Sequence, residues 1–90
     1  MAYLTYDDVF EDLRYNRGNH TSNLYLVRTT GWFLQNLQET HLIPGDVLAT
    51  MMGIGTWYME RGYLTDKQAN WLKIHLVKYE EQIDPMKAYA

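Results

Sequence analysis

Apolar residues recur at intervals of three and four along most of the chain, which is the spacing of one face of an α-helix. This pattern predicts four helices and a frayed tail, near residues 6–17, 23–40, 47–61, 66–83 and 84–90. The connections are short and contain glycine or proline, which interrupt helices. We therefore expect an all-α protein, a single helical domain over residues 1–90 folded as a small four-helix bundle or orthogonal helical array.

Local signals mark where several of these helices begin and end. Thr5 precedes the first helix and is a good N-cap residue. Thr65 and Gln68 have the spacing of a capping box, in which each side chain bonds the main-chain N–H of the other residue. Gly18 and Gly62 follow the first and third helices, where glycine commonly ends a helix. These signals give the approximate residues at which the helices begin and end.

The second predicted helix has an alternative. Residues 24–30 contain β-branched and aromatic side chains, which also suit a β-strand. We favour a helix because no other segment of the chain offers a partner strand.

The third predicted helix carries two neighbouring apolar stripes. Met51 and Ile54 belong to the first stripe, and Met52 and Met59 belong to the second. A helix that is apolar over so much of its circumference is usually buried. We therefore expect this helix to lie at the centre of the fold.

Composition limits the class of protein. The chain is 47% hydrophobic and 21% charged, which fits a globular domain and argues against intrinsic disorder. Its net charge of -3 argues against a protein that uses most of its surface to bind nucleic acid. No apolar run is long enough to span a membrane, and the first residues lack a signal-peptide pattern. With no cysteine to form disulfides, we expect a cytoplasmic location in a bacterial host cell.

No motif predicts catalysis or a cofactor. Gly53 and Gly55 lack the further glycine and the preceding strand of a dinucleotide site. His20, His41 and His75 are scattered without the spacing of a zinc signature. We therefore expect no enzymatic activity, no catalytic residue, no cofactor and no metal.

An acidic cluster opens the first helix. Asp7, Asp8, Glu11 and Asp12 complement the positive end of the helix dipole, which accounts for a solvated helix start. The alternative is that they meet a divalent cation or a basic partner surface. We favour the solvated helix start.

Several large apolar side chains fall outside the predicted core stripes. Trp71 and Ile74 lie on the outer side of the fourth helix, beside Lys67 and Lys78. On the second helix, Tyr25 and Trp32 lie off its apolar side, seven residues apart. Packing within the chain is one explanation, and anchoring a protein partner is the other, because tryptophan dominates interface energetics. We predict these six residues as a partner-binding set.

Two further hypotheses stand beside protein binding. The third and fourth helices have the spacing of a helix-turn-helix, in which Lys67, Gln68 and Asn70 would face DNA. In the other, apolar residues left outside the core seal a homodimer.

The segment from Gly62 to Leu72 contains Leu64, Thr65, Lys67 and Gln68 at fixed spacing. It resembles a segment found in small bacteriophage- and plasmid-encoded accessory proteins. The resemblance implies a phage-type protein that binds and inhibits a host protein, such as a defence nuclease or RNA polymerase. It supplies no catalytic residue.

Overall fold

The computed structural model describes residues 5–83, in which every regular element is a helix. Its helices are α1 (Tyr6–Asn16), α2 (Asn23–Gln35), α3 (Gly45–Arg61) and α4 (Asp66–Lys78), followed by a 3-10 turn at Glu80–Gln82. No β-strand occurs within residues 5–83, and residues 24–30 lie inside α2. The predicted all-α class is therefore confirmed. The predicted tail at 84–90 lies outside the described residues.

The predicted capping residues hold the starts of α1 and α4. The Thr5 hydroxyl accepts from the N–H of Asp8 at 3.2 Å, and the Asp8 carboxylate accepts from the N–H of Thr5 at 2.9 Å. The Thr65 and Gln68 side chains make the equivalent reciprocal pair at the start of α4. Each box satisfies two main-chain N–H groups that the first helical turn leaves without partners.

Two helices end earlier than the periodicity predicts. The second was expected to reach residue 40 and the fourth residue 83, but α2 ends at Gln35 and α4 at Lys78. Beyond these ends, Leu37 and Ile83 form an antiparallel bridge. The N–H of Gln38 donates to the carbonyl of Gln82 at 3.2 Å. Main-chain groups that would have continued each helix are thus paired with the other segment.

The core lies where α2 meets the other three helices. The principal helix contacts join α2 to α1, α3 and α4, and α1 to α4. The fully buried side chains come from all four helices, and the largest of them are Phe33, Leu26, Met51, Leu72 and Leu76. The central helix is therefore α2.

The expectation that the third helix is central and buried is wrong. Only Met51 and Ile54 of its 17 residues are buried. Met52 and Met59, from the second stripe, are 62% and 85% exposed. The reason is that α3 packs mainly against one neighbour, α2, so one of its stripes is covered and the other is left in solvent.

Candidate functional site on the outer face of helix α4

The capping box sets which side of α4 faces the core. With the helix starting at Asp66, Ala69, Leu72 and Leu76 point inward and are buried. At 100° per residue, the opposite side then carries Lys67, Ile74 and the residues beside them. We call this opposite side the α4 face, consisting of Lys67, Asn70, Trp71, Ile74 and Lys78.

The α4 face combines an exposed apolar centre with cationic neighbours. Ile74 is 63% exposed although it lies in the middle of the helix. Lys67, Asn70 and Lys78 are exposed around it, and Trp71 is half-buried at its edge. The structure therefore brings together four of the six residues predicted to bind a partner.

The indole of Trp71 is held in place by its own helix. The His75 ring stacks on it with a centroid separation of 3.9 Å and an interplanar angle of 17°. Nδ1 of His75 lies 2.8 Å from the main-chain carbonyl oxygen of Trp71, which can only accept, so Nδ1 carries the hydrogen. Tyr79 continues the row, 6.4 Å from His75. The indole also packs against the buried core, so only its accessible part is open to a partner and its orientation is restricted on two sides.

The two predicted residues on α2 are placed differently. Trp32 is half-buried and stacks on Tyr6 of α1, with centroids 4.4 Å apart and an interplanar angle of 12°. Tyr25 is also half-buried, and the Arg28 guanidinium lies over its ring at 5.6 Å. The Trp32 indole therefore has an intramolecular role between α1 and α2. Within the described part of the chain, no ring contact joins these residues to the α4 face.

The carboxylates of the acidic cluster on α1 differ in their surroundings. Oδ2 of Asp12 accepts from the N–H of His20 at 3.0 Å and from the hydroxyl of Thr21 at 2.6 Å. Asp12 is buried, whereas Asp8 and Glu11 are exposed. No group of three or more metal-ligating side chains is placed to hold an ion among residues 5–83. Asp12 instead fastens the turn between α1 and α2.

The helix-turn-helix hypothesis receives mixed support. Lys67 and Asn70 are exposed at the start of α4, as DNA contact would need. The Gln68 amide oxygen, however, accepts from the N–H of Thr65 at 2.9 Å. A helix-turn-helix is also a pair of helices packed on each other. Within residues 5–83, α3 and α4 make no contact comparable to those of α2 with its neighbours.

Comparisons with known proteins do not add a function to this geometry. Searches of protein-family models, curated proteins and solved structures find no match to the chain. No helix in the described part of the chain has the length and apolar character needed to cross a bilayer.

Proposed function

We propose that this chain is a non-enzymatic, phage-type accessory protein that binds another protein through the α4 face. Binding would occlude a functional surface of a bacterial host protein, of the defence-nuclease or RNA-polymerase class, in the host cytoplasm. The phage-type assignment rests on the resemblance of residues 62–72. The choice of surface rests on the geometry of α4.

The observation that carries the proposal is the exposure of Ile74 between two cations. An exposed isoleucine forgoes about 1.5–3 kcal/mol of apolar burial, which a partner surface recovers on binding. Trp71 lies beside it with its ring orientation set by His75. Lys67 and Lys78 are exposed around this apolar centre and would act mainly on the rate of association. An apolar anchor within a charged rim is the usual anatomy of a protein interface.

The test is affinity capture from a bacterial lysate followed by titration of the captured protein. We expect Ile74→Asp to weaken its binding at least about tenfold, because a carboxylate is placed at the apolar centre. Leu24→Asp is the matched control, since Leu24 is 46% exposed on α2, away from the α4 face. Retention of the partner by both variants, or equal loss by both, would contradict the proposal.

DNA binding is the second candidate function. The exposed Lys67, Asn70 and Lys78 on one helix face favour it. It requires that affinity for duplex DNA falls steeply with salt and that Lys67→Ala lowers the slope. Absence of any mobility shift at low salt removes it.

Self-association is a third hypothesis, and the exposed stripe of α3 supports it. Met52 and Met59 offer an apolar surface that the monomer leaves uncovered. Light scattering across a concentration series would show a dimer in the unmodified protein and a monomer in Met59→Glu. A monomer at every concentration rejects it.

A further inference from the structure

A groove between α1 and α4 borders the α4 face. Its volume is about 510 Å³, within the roughly 300–1,000 Å³ common for ligand sites. Apolar and polar side chains from both helices line it, namely Leu13, Arg17, Asn70, Lys73, Ile74 and Val77. Ile74 thus belongs both to the groove and to the α4 face. A partner that covers Ile74 has direct access to the groove.

The two cations of the groove have no carboxylate partner within the described residues. The ion pair found in residues 5–83 joins Arg14 to Glu80. The hydrogen bond that Arg14 donates to Glu80 raises the pKa of the Arg14 guanidinium, which is therefore already engaged. Arg17 and Lys73 are left beside an apolar floor in a chain whose net charge is -3. The groove is therefore complementary to an anion that also carries an apolar group.

Arg17 occupies a backbone position that normally favours glycine. It caps α1 in the left-handed region, with φ 55° and ψ 26°, and it is the one non-glycine residue with positive φ in residues 5–83. A side chain there carries a conformational cost that glycine would avoid. The residue that ends α1 in this conformation is thus an arginine that lines the groove, and sparsely populated backbone conformations of this kind cluster at binding sites.

Lys73 is positioned by the glycine that follows Arg17. A Cβ atom added to Gly18 would lie 2.8 Å from Cδ of Lys73, so the lysine stem packs directly against the end of α1. Gly18 also has φ 76°. The contact restricts the lysine stem and keeps Lys73 on the same groove as Arg17.

We propose that this groove binds an acidic, apolar-anchored peptide segment of a partner protein. An apolar side chain of the segment would lie against Leu13, Ile74 and Val77. An adjacent Asp or Glu carboxylate would pair with Arg17 and Lys73, where the planar guanidinium favours bidentate contact. The inference rests on the proposed function, because Ile74 is shared by both surfaces, and it adds the chemistry of the partner.

The probe is a capped twelve-residue peptide of Leu, Asp, Glu and Ser, titrated into the isotope-labelled full chain by NMR. We expect it to shift the resonances of Leu13, Ile74 and Val77, and to bind at least about tenfold more tightly than its Asn/Gln counterpart. Arg17→Gly and Lys73→Met should each weaken binding at least about tenfold. Arg28→Gln, which removes a cation on α2, should leave it unchanged. The glycine variant relieves the backbone, so loss of binding is not loss of folding.

Two further probes test whether the groove prefers an anionic ligand other than a peptide. Shifts caused by octanoate but not by the peptide would overturn the proposal in favour of a free fatty acid. Shifts caused by a duplex oligonucleotide but not by the peptide would overturn it in favour of DNA. If Ile74→Asp abolishes capture of the lysate partner while Arg17→Gly and Lys73→Met do not, the groove proposal fails and the α4 face stands. If none of the three affects capture, the proposed function fails as well.

Discussion

The carboxylate of Asp12 accepts a hydrogen bond of 2.6 Å from the hydroxyl of Thr21, across the turn that joins α1 to α2. The same oxygen accepts the N–H of His20, and both Asp12 and Thr21 are buried. We predict that Asp12→Ala lowers the free energy of unfolding by about 2–3 kcal/mol, because two donors lose the charged acceptor of a buried side chain.

Urea denaturation measures this loss, and the chain supplies a matched control. Glu11 is the exposed neighbour of Asp12 on α1, so Glu11→Ala should change stability by less than about 0.5 kcal/mol. Equal effects of the two substitutions would mean that the hydrogen bonds of Asp12 contribute no measurable stability.

The sequence predicts those parts of the fold that depend on residues close together in the chain. The number of helices and the starts of α1 and α4 follow from periodicity and from capping residues, which are signals within a few residues of one another. The ends of α2 and α4 depend on pairing between Leu37 and Ile83, far apart in the chain. Periodicity also shows that α3 has two apolar stripes, but not how many neighbours cover them. Only the packed fold decides these points.

The same limit applies to the candidate site. The common face of Lys67, Ile74 and Lys78 follows from helical geometry alone once α4 is placed. The stacking of Trp32 on Tyr6 needs the packing of α1 on α2, so the sequence could not separate an anchor from a structural ring. The sequence does not predict that Arg17 and Lys73 line one groove, because the two residues are distant along the chain. The positive φ of Arg17 is an unusual feature that only the backbone structure reveals.

Two isoleucines provide a direct comparison of burial. Ile83 is 8% exposed at the bridge to Leu37, whereas Ile74 is 63% exposed on the α4 face. We predict that Ile83→Ala destabilises the fold by about 2–4 kcal/mol, since it leaves a cavity in the core. Ile74→Ala should cost less than about 0.5 kcal/mol. Thermal unfolding followed by circular dichroism compares them, and similar shifts in Tm would show that the bridge is not part of the cooperative fold.

The stacked pair of Tyr6 and Trp32 predicts an energetic coupling. We expect Trp32→Ala to destabilise the protein by about 2–3 kcal/mol, because a half-buried indole is removed from the contact of α1 with α2. A double-mutant cycle with Tyr6→Ala should return a coupling free energy of about 0.5–1.5 kcal/mol.

Tyr15 is the control for the cycle, since it is 76% exposed on α1. Tyr15→Ala should show no coupling to Trp32→Ala. A coupling near zero for Tyr6 as well would mean that the stacking does not stabilise the fold, and Trp32 would again be a candidate for binding a partner.

Two glycines should respond in opposite directions to the same substitution. Gly31 lies inside α2 with no heavy atom within 4 Å of an added Cβ, so Gly31→Ala should stabilise the protein by about 0.5–1 kcal/mol through helix propensity. Gly62 ends α3 at φ 77°, also with open space around it. Gly62→Ala should therefore destabilise by about 1–2 kcal/mol through backbone strain alone. Urea denaturation midpoints at constant m-value compare the two variants. Shifts of the same sign would show either that α2 does not extend through Gly31 or that Gly62 does not hold the left-handed conformation.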